Sequence, residues 1–304
     1  MQPFKVRILG CGSALPTLKH FASSQVVEVR DKMFMIDCGE GTQIQIRRAR
    51  IHFNKIVSIF ITHLHGDHCF GLIGLVSTLG MLGRTAPLHI YAPEALGPIL
   101  RQQMDFFCNG LEYDVHFHGI DATAQAVIYE DKSVIVRSIP LNHRIPCCGY
   151  LFCEKPTLPH ILRDMIDFYN IPLCYINNIK CGADWITADG RTIKNEYLTT
   201  PADKPRSYAY CSDTKYMPRL YESLLGVDLL YHEATYCNCD EKRASLYYHS
   251  TAEQAATVAL KANVGKLVLG HFSARYENEE ILLKEAEKVF KNVELAREMA
   301  VFDI

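Results

Sequence analysis

The stretch Ile56-Val-Ser-Ile-Phe-Ile-Thr-His-Leu-His-Gly-Asp-His68 decides the fold. Residues 56–61 form a nearly continuous apolar run, as expected of a strand covered on both faces. Three histidines and one aspartate then follow within six residues. At a strand's C-terminal end the rigid sheet gives way to a loop that can turn inward, a common place for a site. In extended backbone His63 and His65 point to one side, and a turn at Gly66 swings Asp67 and His68 to another. That pattern suits two adjacent metal ions held by imidazole nitrogens and carboxylate oxygens. The competing reading, a surface histidine cluster with a solvated aspartate, explains neither the strand nor the glycine.

Outward from this stretch the pattern is strand-rich, then mixed, then strand-rich, then mixed. Strands are predicted over 4–9, 25–29 and 33–37, with a hairpin turn at Arg30-Asp31-Lys32 and a helix over 41–50. A buried helix is expected over 69–82, a strand over 88–91, and a further helix with Pro93 in its first turn. Strand patterns return at 126–129, 134–139 and 149–152. Residues 154–206 break the rhythm with Pro156, Pro159, Pro172, Pro201 and Pro205, and read as an inserted arm on a single domain spanning 1–304. Strands at 207–211, 228–231 and 266–270 then alternate with helices over 217–225, 252–262 and 278–290. Two mixed β-sheets packed together with helices outside, an αββα sandwich of the α/β class, satisfy this order.

One loop cannot complete two metal sites, since a zinc ion takes about four ligands. His143, Asp213 and His271 each follow a predicted strand and complete a seven-ligand set with His63, His65, Asp67 and His68. Taken singly, each of the three also reads as an ordinary cap or turn residue.

With the strings Leu9-Gly-Cys-Gly-Ser-Ala-Leu-Pro-Thr17, Asp37-Cys-Gly-Glu-Gly-Thr-Gln43, Asn142-His-Arg144, Ser212-Asp-Thr214, His232-Glu-Ala-Thr235, His249-Ser-Thr251 and Gly270-His-Phe-Ser-Ala-Arg-Tyr276, the chain resembles the metallo-β-lactamase fold superfamily. More narrowly, it resembles ribonuclease Z, the family that trims the 3′ end of precursor tRNA. The metal string alone indicates only the superfamily; the last three strings point to the ribonuclease. The resemblance implies two zinc ions, or other divalent metals such as manganese. His63, His65 and His143 would hold one, and Asp67, His68 and His271 the other. Asp213 would bridge them. It implies hydrolysis by metal-activated water, with Asp67 as proton acceptor. His249 would be the donor to the leaving ribose oxygen, with Glu233 orienting or charging that imidazole. The products would be a tRNA 3′-hydroxyl and a trailer 5′-phosphate. Ser13, Thr17, Lys180 and Arg275 are candidate substrate contacts. A homodimer is the family expectation.

Several of these residues have plainer readings. His249 precedes a sequence in which Ser250 or Thr251, with Glu253 or Gln254, resembles a helix N-cap. Glu233 reads equally as a strand-end charge, Arg275 as an ion-pair partner, and His232 as structural. Two departures from the family pattern concern recognition of the RNA. Lys19-His20-Phe21 stands where an Arg-Asn pair is common, and the arm's tip keeps Pro172 and Lys180 but lacks a Gly-Pro pair.

Composition narrows the rest. The chain has 304 residues, 48% hydrophobic and 22% charged, with a net charge of −2. This excludes a disordered polymer, and there is no strongly basic footprint for indiscriminate polyanion binding. Two zinc ions and local groups such as Arg47, Arg48, Arg50 and Arg275 would supply a local positive field instead. The opening residues lack the apolar core of a signal peptide, and no run is long enough to cross a membrane. A cytoplasmic protein is therefore expected, with its twelve cysteines as reduced packing thiols. His20 carries no context of its own, and Trp185 is expected to pack. The alternatives are another phosphodiesterase of this fold, acting on small or cyclic phosphodiesters, and a non-catalytic RNA-binding relative.

Overall fold

In a computed structural model, which describes residues 2–304, the chain divides into two compact units, residues 2–153 with 206–304 and residues 154–205. The larger unit holds two seven-stranded sheets. In the first, Phe4–Gly10, Ser24–Val29 and Lys32–Ile36 run antiparallel in sequence, and Ile56–Phe60, Leu88–Pro93 and Val115–Ile120 follow in parallel. Val301–Asp303 closes its far edge. The second sheet begins with Val127–Glu130, Val134–Leu141 and Cys147–Glu154. It continues through the parallel set Ser207–Cys211, Leu229–Glu233, Lys266–Gly270 and Val293–Leu295.

The side-chain period of two sorts each strand between two cores. Phe34, Ile36 and Phe60 join Tyr150, Phe152, Tyr208 and Tyr210 in one cluster drawn from both sheets. Met35, Ile59 and Ile61 join a second, beneath Leu72, Leu75, Val76 and Leu79 of helix Leu72–Met81 and Leu96 and Leu100 of helix Leu96–Phe107. Both faces of strand Ile56–Phe60 are thus covered, which is why its sequence is apolar throughout. On the second sheet, helix Ala252–Ala262 presents Ala255, Ala256, Ala259 and Ala262 to the core. Thr251 and Gln254 form a capping box at its start, the N-cap predicted from the sequence. The result is the expected αββα sandwich.

Some boundaries differ from expectation. The helix expected over 69–82 is split into Gly66–Cys69 and Leu72–Met81. Gly71 sits at the break and donates its backbone N–H to Cys38; a Cβ there would lie 2.1 Å from the carbonyl oxygen of Gly39. Pro93 ends a strand instead of opening a helix. The helix expected over 217–225 is a 3₁₀ segment, Leu220–Leu224; the backbone leaves helical geometry at Leu225 (ψ 120°), and Gly226 follows at φ +68°. The final helix is confined to Glu280–Ala286. Not every cysteine is a reduced packing thiol. Cys237 and Cys239 are disulfide-bonded, their Cα atoms 5.5 Å apart and so within bridging range, and Cys174 and Cys181 are exposed.

The smaller unit ends at Pro205, so Arg206 belongs to the larger one. It has two two-stranded ladders, His160–Ile161 with Thr199–Thr200 and Trp185–Ile186 with Thr192–Ile193. Its short helices are Arg163–Phe168 and Ile176–Lys180. Ile171, Ile179 and Leu198 form its core, with Trp185 packed against them. Among the described residues no helix is long and apolar enough to cross a membrane.

Candidate metal centre

Strand Ile56–Phe60 ends where Asp37, from the loop after the neighbouring strand, accepts hydrogen bonds from the Thr62 backbone N–H at 2.9 Å and hydroxyl at 3.0 Å. Both residues are fully buried. This anchor holds 63–65 extended, and the helical turn Gly66–Cys69 then redirects Asp67 and His68, as the sequence pattern requires.

The seven predicted ligands converge. His65 Nδ1 lies 3.0 Å from His63 Nε2 and 3.2 Å from His143 Nε2. Asp213 Oδ2 stands 3.7 Å from both of those Nε2 atoms. Its other oxygen, Oδ1, lies 3.3 Å from His68 Nε2 and 3.0 Å from His271 Nε2. Asp67 Oδ2 completes that second group at 3.4 and 3.6 Å from the same two nitrogens. One carboxylate therefore faces both donor groups, one oxygen to each. Donor separations of 3.0–3.7 Å match the edges of a tetrahedron around zinc, roughly 3.3 Å for ligands at about 2.0–2.1 Å. The Nε2 atoms of His68 and His271 are buried and have no hydrogen-bond partner among the described residues. An orphaned buried nitrogen is costly, and a cation between these donors removes that cost.

The opposite ring nitrogens of four of the five histidines are engaged. His68 Nδ1 lies 2.7 Å from Asp37, His63 Nδ1 3.0 Å from the Thr62 hydroxyl, His271 Nδ1 2.9 Å from the Thr235 hydroxyl, and His143 Nδ1 3.0 Å from the Tyr248 carbonyl. Such outer contacts select the ring tautomer and aim the free nitrogen inward. Four non-glycine residues at the centre sit at positive φ: Ala14, Asp37, Tyr248 and His271. Each costs about 1–3 kcal/mol, and such strain gathers at functional sites. At Ala14 it aims the backbone N–H at Asp67 Oδ2, 2.8 Å away.

Glu233 and His249 meet beside this cluster, Oε1 to Nδ1 at 2.9 Å. Glu233 is fully buried and also accepts from the Thr214 backbone N–H and the Thr235 hydroxyl. Burial alone would lower the His249 imidazole. The Glu233 charge and hydrogen bond, with Asp213 and Asp67 nearby, raise it to about 9. Burial works to raise Asp67 and Asp213, but the surrounding histidines hold both carboxyls well below the usual range.

A cavity of about 730 Å³ opens over the cluster, lined by His65, Asp67, His143, Asp213, His249 and His271, with Ser13, Arg144, Tyr236 and Arg275 on its walls. Arg275 lies over the Tyr236 ring, 5.0 Å from its centroid, and 3.4 Å from Asp240. Thr17 does not reach the wall, since its hydroxyl accepts from the Lys19 and His20 backbone N–H groups of its own turn. Lys180 belongs to the smaller unit. Asp37, Thr235, Tyr248 and the Ala14 N–H received no role from the sequence. Asp37 and Thr235 lie inside strings that marked the family, so the signal was present without a geometry to interpret it.

Comparisons with known proteins agree with this geometry. Residues 4–136 match the family model described as Anti-Pycsar protein Apyc1. The ribonuclease Z of Bacteroides fragilis strain YCH46 is 58% identical, with 98% of each chain covered. That of Porphyromonas gingivalis strain W83 is 51% identical over the full length of both. Among solved structures, the short form of human tRNase Z superposes with a TM-score of 0.71 at 25% identity, covering 98% of each chain. The metallo-β-lactamase fold protein YhfI of Bacillus subtilis shares the fold with a TM-score of 0.70 at 17% identity. By its full-length identity to curated relatives, the chain belongs to the ribonuclease Z family.

Proposed function

We propose that the protein is a metal-dependent endoribonuclease that removes the 3′ trailer from precursor tRNA, leaving a 3′-hydroxyl on the tRNA and a 5′-phosphate on the trailer. The observation that carries this reading is Asp213, whose Oδ2 faces His63 and His143 while its Oδ1 faces His68 and His271, the two histidines with orphaned Nε2 atoms. His63, His65 and His143 would hold one zinc ion, Asp67, His68 and His271 the other, and Asp213 would bridge them; manganese suits the same oxygen and nitrogen donors. When bound, such a pair supplies Lewis-acid charge for the phosphoryl oxygens and lowers the pKa of water.

The chain's own groups do the rest. Asp67 accepts the proton of the attacking water at Oδ1, because Oδ2 faces the His68 and His271 donors and takes the Ala14 N–H. His249 is held by its Nδ1, which leaves Nε2 to donate a proton to the departing ribose oxygen. Buried Glu233 keeps that imidazole charged and oriented. Ser13, Arg144 and Arg275 line the cavity where the phosphates on either side of the cut would run. The unit of residues 154–205 is the tRNA grip, which a hydrolase of small phosphodiesters would not need. A cytoplasmic homodimer is the setting this family membership suggests.

The test is a precursor tRNA with a 3′ trailer. Wild type plus zinc or manganese should cut near the discriminator base, and Asp67→Ala should abolish cutting. His249→Ala should slow it by about 10²–10⁴-fold, the ordinary worth of a positioned acid. The same variant should be nearly normal on a chromogenic diester whose leaving group needs no proton. Uncut precursor with metal-replete wild type would overturn the reading.

A further inference from the structure

Outside the cavity a second cluster of metal-binding side chains joins three segments far apart in the chain. Cys11 follows strand Phe4–Gly10, His20 closes the loop after it, and Glu298 lies just before the C-terminal strand. The Cys11 sulfur is fully buried. It lies 3.4 Å from His20 Nδ1 and 3.5 Å from Glu298 Oε1, and those two atoms are 3.2 Å apart. For zinc with sulfur at about 2.3 Å and nitrogen or oxygen at about 2.0–2.1 Å, a tetrahedral face has edges of roughly 3.5, 3.5 and 3.3 Å. One sulfur, one nitrogen and one oxygen therefore already form that face.

A second observation is independent of this triangle. His20 Nε2, the nitrogen pointing away from it, lies 3.1 Å from Glu279 Oε1. Metal-bound histidines generally give their other ring N–H to a carboxylate. Glu279 is itself paired with Lys19, and Glu298 Oε1 accepts the Phe21 backbone N–H at 3.0 Å. The Ala296 carbonyl oxygen lies 3.7 Å from the Cys11 sulfur.

We propose that Cys11, His20 and Glu298 form a third, structural zinc site, separate from the catalytic pair. Cys11 binds as thiolate: its S–H proton leaves to solvent as the sulfur–zinc bond forms, with no change of oxidation state. Thiolate, carboxylate and Zn²⁺ then sum to zero charge, which suits a buried position. The site would clamp the loop that carries Ser13 and the Ala14 N–H against the rest of the fold. Spacing rules for zinc motifs do not detect it, because its ligands are 9 and 278 residues apart.

The catalytic ligands contain no sulfur, so a sulfur-specific readout separates the two kinds of site. Zinc-loaded wild type should show zinc–sulfur scattering at about 2.3 Å in X-ray absorption. The cobalt(II)-substituted protein should show a near-ultraviolet thiolate-to-metal charge-transfer band. Both signals should vanish in Cys11→Ser, and in His20→Asn and Glu298→Gln the metal content should fall by one equivalent per chain. A Cys237→Ser/Cys239→Ser double variant, which removes the other clustered sulfurs, should keep both signals. Wild type without zinc–sulfur scattering overturns the proposal whatever the variants do. Sulfur signals that survive Cys11→Ser or disappear with Cys237 and Cys239 overturn it equally.

Discussion

The two units of this chain are built on opposite principles. In the larger unit the rings of His63, His68, His143 and His271 are each fixed by an outer partner, and among the described residues the buried Nε2 atoms of His68 and His271 are left to face Asp67 and Asp213. The smaller unit has three fully buried apolar residues and leaves Phe168, Leu173, Ile186 and Tyr197 more than half exposed. Its charges are balanced: six lysines and arginines (Lys155, Arg163, Lys180, Arg191, Lys194, Lys204) stand against seven acids (Glu154, Asp164, Asp167, Asp184, Asp189, Glu196, Asp203). A reaction centre needs groups held within fractions of an ångström. A grip on a large folded partner needs reach and surface.

The widest separation of the two comes from removing each in turn. Asp213→Ala takes away the carboxylate that faces both donor groups and should reduce hydrolysis of precursor tRNA and of a small chromogenic phosphodiester alike to background, with a fall in bound metal on metal analysis. Replacing residues 156–203 by a short Gly-Ser link should cripple cleavage of the tRNA and spare the small substrate. The link is feasible because Cys153 and Ser207 are partners on adjacent strands. Equal loss on both substrates would mean that the inserted unit serves the chemistry and not the grip.

Within the larger unit, Asp37→Asn keeps the shape but weakens the contact that fixes the His68 ring. Such outer partners are worth about 10–100-fold in metal affinity or activity. The expected loss appears in a metal titration, with the value for tRNA binding unchanged.

What could be read from the sequence follows the same division. The convergence of the seven side chains was legible because four of them sit in six residues behind an apolar strand, and His143, Asp213 and His271 because each follows a strand of its own. Asp37 and Thr235 were not assigned, because their work depends on which ring each meets across the fold. The segment Leu220–Leu224 is a 3₁₀ turn within a stretch whose sequence suggests a helix, since one short turn offers too few residues to separate the two helix types. His20 had no local context at all; its partners, Glu279 and Glu298, are more than 250 residues away. In the smaller unit, ladders of two residues carry no periodicity to detect.

A smaller effect should appear in the pH dependence of the metal-stripped protein. His249 has a folded value of about 9 against an unfolded value of about 6.5. A raised histidine stabilises fully below the unfolded value, and that contribution fades as pH rises through the folded one. Wild type should therefore lose up to about 3 kcal/mol more than Glu233→Gln between pH 6.5 and 9, measured by denaturant unfolding at each pH. Parallel curves for the two proteins would show that the pair does not hold its charge in the folded state.

The smallest effect tests whether the inserted unit meets RNA through Lys180. Arg191 is paired with Asp189 and Lys194 with Asp184, whereas Lys180 has no ion pair among the described residues. If that lysine meets a phosphate, Lys180→Ala should weaken precursor tRNA binding a few-fold, uniformly across tRNA species. It should also lower the salt slope of log Kd by about one, the signature of a single released counterion. Arg275 makes the instructive contrast, because Asp240 and the Tyr236 ring already hold it over the cavity. Arg275→Ala should therefore act on cleavage of bound substrate more than on the salt slope. If Lys180→Ala leaves both affinity and slope unchanged, the grip does not rest on phosphate charge. The exposed apolar residues Phe168, Leu173 and Tyr197 would then be the surface that meets the RNA, and Leu173→Ser the change that loosens it.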